Sequence, residues 1–135
     1  MAHVLEHKHL IVRAKMNKPP TDENEFSNWM LRLIDALDME LFMGPYVKYS
    51  SMHGNQGLTG VAVISTSSIT AHFWDAVSPG LGQIDVYSCK DVNPEVVFAM
   101  LQEFEPVDLD YIFIDRDIED SLAVVGSGKI DFKAA

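Results

Sequence analysis

The chain has a single cysteine, Cys89, in 135 residues. No disulfide can form within it, and a reducing compartment is the expected setting. Basic residues are few and scattered: 10 Lys and Arg stand against 20 Asp and Glu, a formal net charge of −10. A nucleic-acid binder needs a clustered basic patch to displace counterions from phosphate, so nucleic acid is not an expected partner. No apolar run approaches the roughly 20 residues that cross a bilayer, so no membrane is expected either. The opening stretch from Met1 to His9 is polar and of mixed charge, unlike a secretory signal, and a cytoplasmic protein is the expectation. Metal and phosphate signatures are also missing. His7 and His9 stand two apart, with His53 elsewhere, and read as ordinary histidines rather than metal ligands. Gly57-Leu58-Thr59-Gly60 lacks the Gly-Lys-Ser/Thr ending of a phosphate loop.

What is present is a core. Hydrophobic residues make up 47% of the chain, enough for a single domain, expected over residues 1–125 with a loose tail over 126–135. His9 to Ala14 reads as a first strand, ended by Asn17-Lys18-Pro19-Pro20. A helix starts near Thr21-Asp22, with Phe26, Met30, Leu33 and Leu37 on one face and Trp29 and Ile34 widening it, a stripe that reads as core. Gly44-Pro45 breaks the chain before a short strand at Tyr46–Tyr49. Val61 to Ile64 reads as a fully buried strand. Ile69 to Trp74 alternates, with Ile69, Ala71 and Phe73 on one face and Thr70, His72 and Trp74 on the other. The small hydroxylated run Ser65-Thr66-Ser67-Ser68 sits where a turn would join them. After a loop at Ser78–Gly82 come a strand at Gln83–Cys89, a helix opened by Asn93-Pro94, and a strand at Leu109–Asp115. Two helices and one mostly antiparallel sheet imply an α+β fold, a two-layer α/β sandwich with both helices on one face.

Cys89 with His72 suggests thiol chemistry, and a lone buried cysteine serving as a small hydrophobe is the alternative. The segment from Gly57 to Trp74 narrows this. It resembles the processing segment of the prokaryotic, pyruvoyl-dependent S-adenosylmethionine decarboxylases: Gly-x-Ser-Gly, apolar residues, then Glu-Ser-His-Leu-Thr-x-His-x-Trp. Ile84 to Cys89 resembles the family's Asp-x-Phe-Thr-Cys strand, and Asp91-Val92-Asn93-Pro94 resembles the entry to the family's next helix. His9 to Val12 resembles the first strand, and Tyr46 to Tyr49 an aromatic pair near the ligand. The resemblance spans roughly residues 7–117.

Members of that family are made as zymogens that cut themselves and turn a serine into a pyruvoyl cofactor, whose ketone takes electrons as carbon dioxide leaves. The resemblance implies that Ser67 becomes the pyruvoyl group and that autocatalytic cleavage falls between Thr66 and Ser67. By the same likeness His72 removes the α-proton during processing. Thr59 supports processing in place of a serine, and Cys89 returns a proton to the substrate. Tyr46, Tyr49 and Trp74 are the implied substrate-binding residues, S-adenosylmethionine the small-molecule partner, spermidine and polyamine synthesis the pathway, and a homodimer the assembly. The chain departs from the motif at Thr66, where the family has glutamate, at Ser68, where it has histidine, and at Asp75-Ala76, where it has Pro-Glu. These departures leave two alternatives open: an unprocessed, non-catalytic S-adenosylmethionine-binding or regulatory homologue, and a decarboxylase of another amino acid such as arginine.

Overall fold

Local chemistry sets the element ends. Asp22 caps the first helix by accepting from the Glu25 amide, and Asn93 caps the second by accepting from the Glu95 amide, with Pro94 in its first turn. The computed structural model describes residues 6–117 and 122–132; the opening residues 1–5 and the last three, 133–135, lie outside them. In chain order the elements are β1 (Lys8–Met16), α1 (Glu23–Ala36), β2 (Leu41–Ser50), β3 (Gly57–Ile64), β4 (Ser67–Trp74), β5 (Gly80–Ser88), α2 (Pro94–Met100), a short 3-10 turn (Gln102–Phe104), β6 (Pro106–Asp115) and β7 (Ala123–Asp131). The strands form one sheet in the order β2-β3-β4-β5-β1-β6-β7, and every neighbouring pair is antiparallel.

Both helices pack on one face of this sheet. The stripe of α1 is core, as its spacing requires: Phe26, Trp29, Met30 and Leu33 are fully buried. Phe26 meets Phe73 of β4 edge-on with ring centroids 5.1 Å apart, and Trp29 lies 5.4 Å from Phe104. The Trp29 indole nitrogen donates to the Met100 carbonyl at 2.8 Å, so its one polar atom is satisfied inside the core. Helix and sheet approach closely at Gly60, where a Cβ would lie 2.8 Å from both Met30 Sδ and Phe26 Cε2. Among the described residues, the opposite face carries no helix. It presents half-buried residues such as Val61, Val63, Thr70, His72, Asp85 and Tyr87. Among the described residues, no helix is long and apolar enough to cross a membrane.

The structure departs from the sequence expectations in five places. Gly80 to Gly82, expected in a loop, already pair with β1 as the start of β5, and Ser67 and Ser68, expected in the turn, already belong to β4. Residues 126–131, expected as a loose tail, continue β7 and pair with β6, so the sheet extends past the boundary drawn at residue 125. Gly44-Pro45 does not break the chain. β2 runs through it with a register shift between Met43 and Tyr46, so Pro45 has no partner on β3, and an edge strand tolerates this because it has a neighbour on one side alone. Val61 to Ile64 is not buried on both faces: Ala62 and Ile64 enter the core, while Val61 and Val63 stand on the helix-free face.

Candidate active site

β3 and β4 pair up to Ile64 and Ser67, leaving Ser65 and Thr66 as the whole turn between them. Thr66 has φ of 60°. A β-branched side chain rarely occupies this left-handed region, which costs of order 1–3 kcal/mol. The peptide bond from Thr66 to Ser67 therefore follows a strained residue. The Thr66 hydroxyl donates to the carbonyl of Ser65 at 2.6 Å.

Strand β5 delivers the next group. Its pairing with β4 ends at Ser68 opposite Tyr87, which sets Cys89 beside the turn. The Cys89 backbone amide donates to Ser67 Oγ at 3.1 Å, and the Ser67 hydroxyl points back to Cys89 Sγ at 3.7 Å. Thr66 Oγ1 lies 2.8 Å from the same sulfur. Hydrogen bonding by Thr66 is the strongest influence on the thiol. With help from Ser67, from the amide of Cys89 itself and from the Lys90 charge, it holds the thiol below its ordinary range against the opposing effect of burial. Ser67 is buried, Cys89 half-buried and Thr66 exposed. Two depressions flank the turn. One of about 420 Å³ is bordered by Phe42, Val63, Thr66, Ser67, Ser68 and Tyr87. The other, of about 280 Å³, is bordered by Asp38, Glu40, Ser65, Ser67, Cys89 and Lys90.

A second group forms at the far end of β4. Thr59 and His72 are direct cross-strand partners, and Thr59 Oγ1 lies 3.0 Å from His72 Nδ1. The imidazole stacks on Trp74 with centroids 5.9 Å apart, and the Trp74 indole donates to Asn55 Oδ1 at 2.8 Å. Within one chain this group does not meet the first. His72 is five residues along an extended strand from Ser67, about 17 Å at the usual rise per residue. It also faces the helix-free side, whereas Ser67 shares the helix side with Ile69, Ala71 and Phe73.

The two tyrosines also part. Tyr46, opposite Val61, is 62% exposed on the helix-free side. Tyr49, opposite Leu58, packs against the core. Its hydroxyl donates to Asp75 at 2.9 Å, and that bond, with burial, pushes its pKa up. His9 Nε2 is bonded to Asp85 at 2.9 Å and His7 Nδ1 to the Tyr87 hydroxyl at 2.8 Å. Sequence reasoning missed Phe42 and Tyr87 as walls beside the turn. The alternation of β5 puts Tyr87 on the helix-free face with Asp85, a signal that was there to use. Nothing in the sequence pairs Tyr87 with Arg116, whose guanidinium carbon lies 4.4 Å from the ring centroid.

A family model described as S-adenosylmethionine decarboxylase matches residues 8–117. Several relatives bear the name S-adenosylmethionine decarboxylase proenzyme. That of Methanococcus aeolicus is 38% identical over 63 residues, 45% of this chain and 52% of that protein, so the chain spans about half of that relative's length. That of Clostridium kluyveri is 30% identical over 98 residues, 70% of this chain and 76% of that protein. That of Pyrococcus horikoshii is 29% identical over 116 residues, 83% and 79% respectively. Among solved structures, a phage SAM lyase in complex with S-methyl-5'-thioadenosine aligns with a TM-score of 0.43 at 10% identity, over 98% of this chain and 95% of that one. A likeness that loose does not bear on the site.

Proposed function

As the chain belongs to the S-adenosylmethionine decarboxylase family, we propose that it cuts itself between Thr66 and Ser67 and then decarboxylates S-adenosylmethionine. The observation that carries this reading is the turn itself. A strained Thr66 precedes a serine whose oxygen is held by the Cys89 amide and whose proton points at the Cys89 sulfur. Ser67 Oγ adds to the Thr66 carbonyl carbon and the C–N bond breaks, giving an ester and a free amine on residue 67. Loss of the α-proton of residue 67 then breaks its Cβ–Oγ bond and releases Thr66 as a carboxylate. The resulting double bond shifts to an imine, and water converts that to a ketone with loss of ammonia.

The turn fits a pyruvoyl group made in place, because the serine it needs is intact and its hydroxyl is held between the Cys89 amide and the Cys89 sulfur. When formed, that group supplies an electron sink for decarboxylation. The surrounding side chains do the rest. Cys89, held beside Ser67, hands a proton to the substrate carbon in this reading, and Phe42 and Tyr87 wall an apolar depression beside residue 67.

The α-proton needs a base, and the Thr59–His72 pair lies on the wrong face of the same chain. In this reading a second copy docks on the helix-free sheet face and brings its own Thr59–His72 pair to the turn, making a homodimer. The product feeds polyamine synthesis in the cytoplasm. The replacements at Thr66, Ser68, Asp75 and Ala76 support a second reading within the same chemistry, a different amino-acid substrate such as arginine.

Carbon dioxide release from carboxyl-labelled S-adenosylmethionine, absent in Ser67→Ala, is the expected result. Release from labelled arginine instead keeps the chemistry and replaces the substrate. Release from neither overturns both readings.

A further inference from the structure

One polar group of the turn, the hydroxyl of Thr66, has no part in either the processing or the decarboxylation chemistry. It lies 2.6 Å from the Ser65 carbonyl and 2.8 Å from Cys89 Sγ, so it touches an acceptor and the reactive sulfur at once. We propose that Thr66 is a positioning residue for Cys89, its hydroxyl holding the sulfur beside Ser67 in both protonation states of the thiol. This inference rests on the reading of Cys89 as the proton-carrying group of the site.

The hydrogen bonds admit two arrangements. With the thiol protonated, Thr66 donates to the Ser65 carbonyl, its oxygen accepts from the Cys89 S–H, and a sulfur lone pair is left to accept from the Ser67 hydroxyl. With the thiol ionised, the Thr66 hydroxyl turns and donates to the sulfur, a charge-assisted bond. The sulfur stays in place either way, because one rotation of one hydroxyl accommodates both charges. In the uncut chain, a sulfur that takes up the proton of the Ser67 hydroxyl changes charge as it does so, and this tolerance keeps it in place through that change. The glutamate that the family pattern has at this position would present an acceptor that carries its own charge and cannot donate when ionised.

The other charged groups around the sulfur are separate from Thr66. Lys90, next in the chain, binds the Asp38 carbonyl and lies 3.8 Å from the Asp38 carboxylate. Glu40 borders the same depression, and Tyr87 borders the neighbouring one. None of them changes when residue 66 is substituted, so a difference between residue-66 variants reads the hydroxyl.

The test is the rate of Cys89 alkylation by iodoacetamide as a function of pH. It is made on full-length chains carrying Ser67→Ala, so that every sample stays whole. Thr66→Val removes the hydroxyl and keeps the shape. It is expected to move the midpoint of the profile upward and to slow alkylation near neutral pH about threefold or more, as the thiolate fraction falls. Thr66→Ser is expected to stay within about twofold of the parent. If Thr66→Val does not fold, judged by its thermal transition, Thr66→Ala carries the same expectation. An unchanged profile in the hydroxyl-free variant, or an equal shift in Thr66→Ser, overturns the proposal. The readout does not depend on self-cleavage. A shifted profile in a protein whose wild type never cuts would uphold this inference and sink the processing reading, and the reverse pairing would do the opposite.

Discussion

Thr66 shows how a single residue joins strain to chemistry. Its left-handed φ is easy for glycine and hard for a β-branched residue, and it sits one bond from the proposed cut. In a Ser67→Ala background, which keeps the chain whole, Thr66→Gly is expected to raise stability by about 1 kcal/mol, relief of strain less the entropy glycine loses on folding. Urea unfolding midpoints measure it, and equal or lower stability would mean that the turn stores no strain. Ser67, Cys89 and Thr66 were legible as a group because the two segments that carry them, Gly57 to Trp74 and Ile84 to Cys89, follow the family pattern in order. The separation of His72 from Ser67 was also legible: an odd spacing in an extended strand puts two residues on opposite faces. The same parity separates Tyr46 from Tyr49. The hydrogen bonds of Thr66 were not legible, since they depend on which side of the turn the hydroxyl takes.

Elements hold the Thr66–Ser67–Cys89 group and the Thr59–His72 pair at fixed positions. β3 carries Thr59 on one face and, one residue on, Gly60 against the α1 side chains Phe26 and Met30 on the other. Gly60→Ala is expected to destabilise by about 1–3 kcal/mol through overpacking of α1, read as a lowered thermal or urea midpoint. A change near zero would show that α1 yields at no cost. The helices, the β3–β4 hairpin and β5 from Gln83 onward were readable from periodicity and caps; the start of β5 was not, because Gly80 and Gly82 read as loop. β7 was not, because Gly126 and Gly128 dilute its pattern and its strand character comes from pairing with β6. Nor was the passage of β2 through Gly44-Pro45, which depends on that strand lying at the edge of the sheet.

Across the whole molecule, one sheet face is packed by helices, and the other, bearing the Thr59–His72–Trp74 group, carries none among the described residues. Reaction at the turn and proton removal by His72 are compatible only if a second copy supplies the imidazole. A Ser67→Ala chain and a His72→Ala chain, each unable to cut alone, should therefore complement when co-expressed, because the first lends its His72 to the intact Ser67 of the second. The most direct measurement is denaturing mass spectrometry of the wild type, of each variant and of the co-expressed pair. The expected result is a wild type split into residues 1–66 and a fragment beginning with a pyruvoyl group at position 67, whole single variants, and cleavage of the His72→Ala chain in the pair. A wild-type chain that keeps its full mass after prolonged incubation contradicts the account.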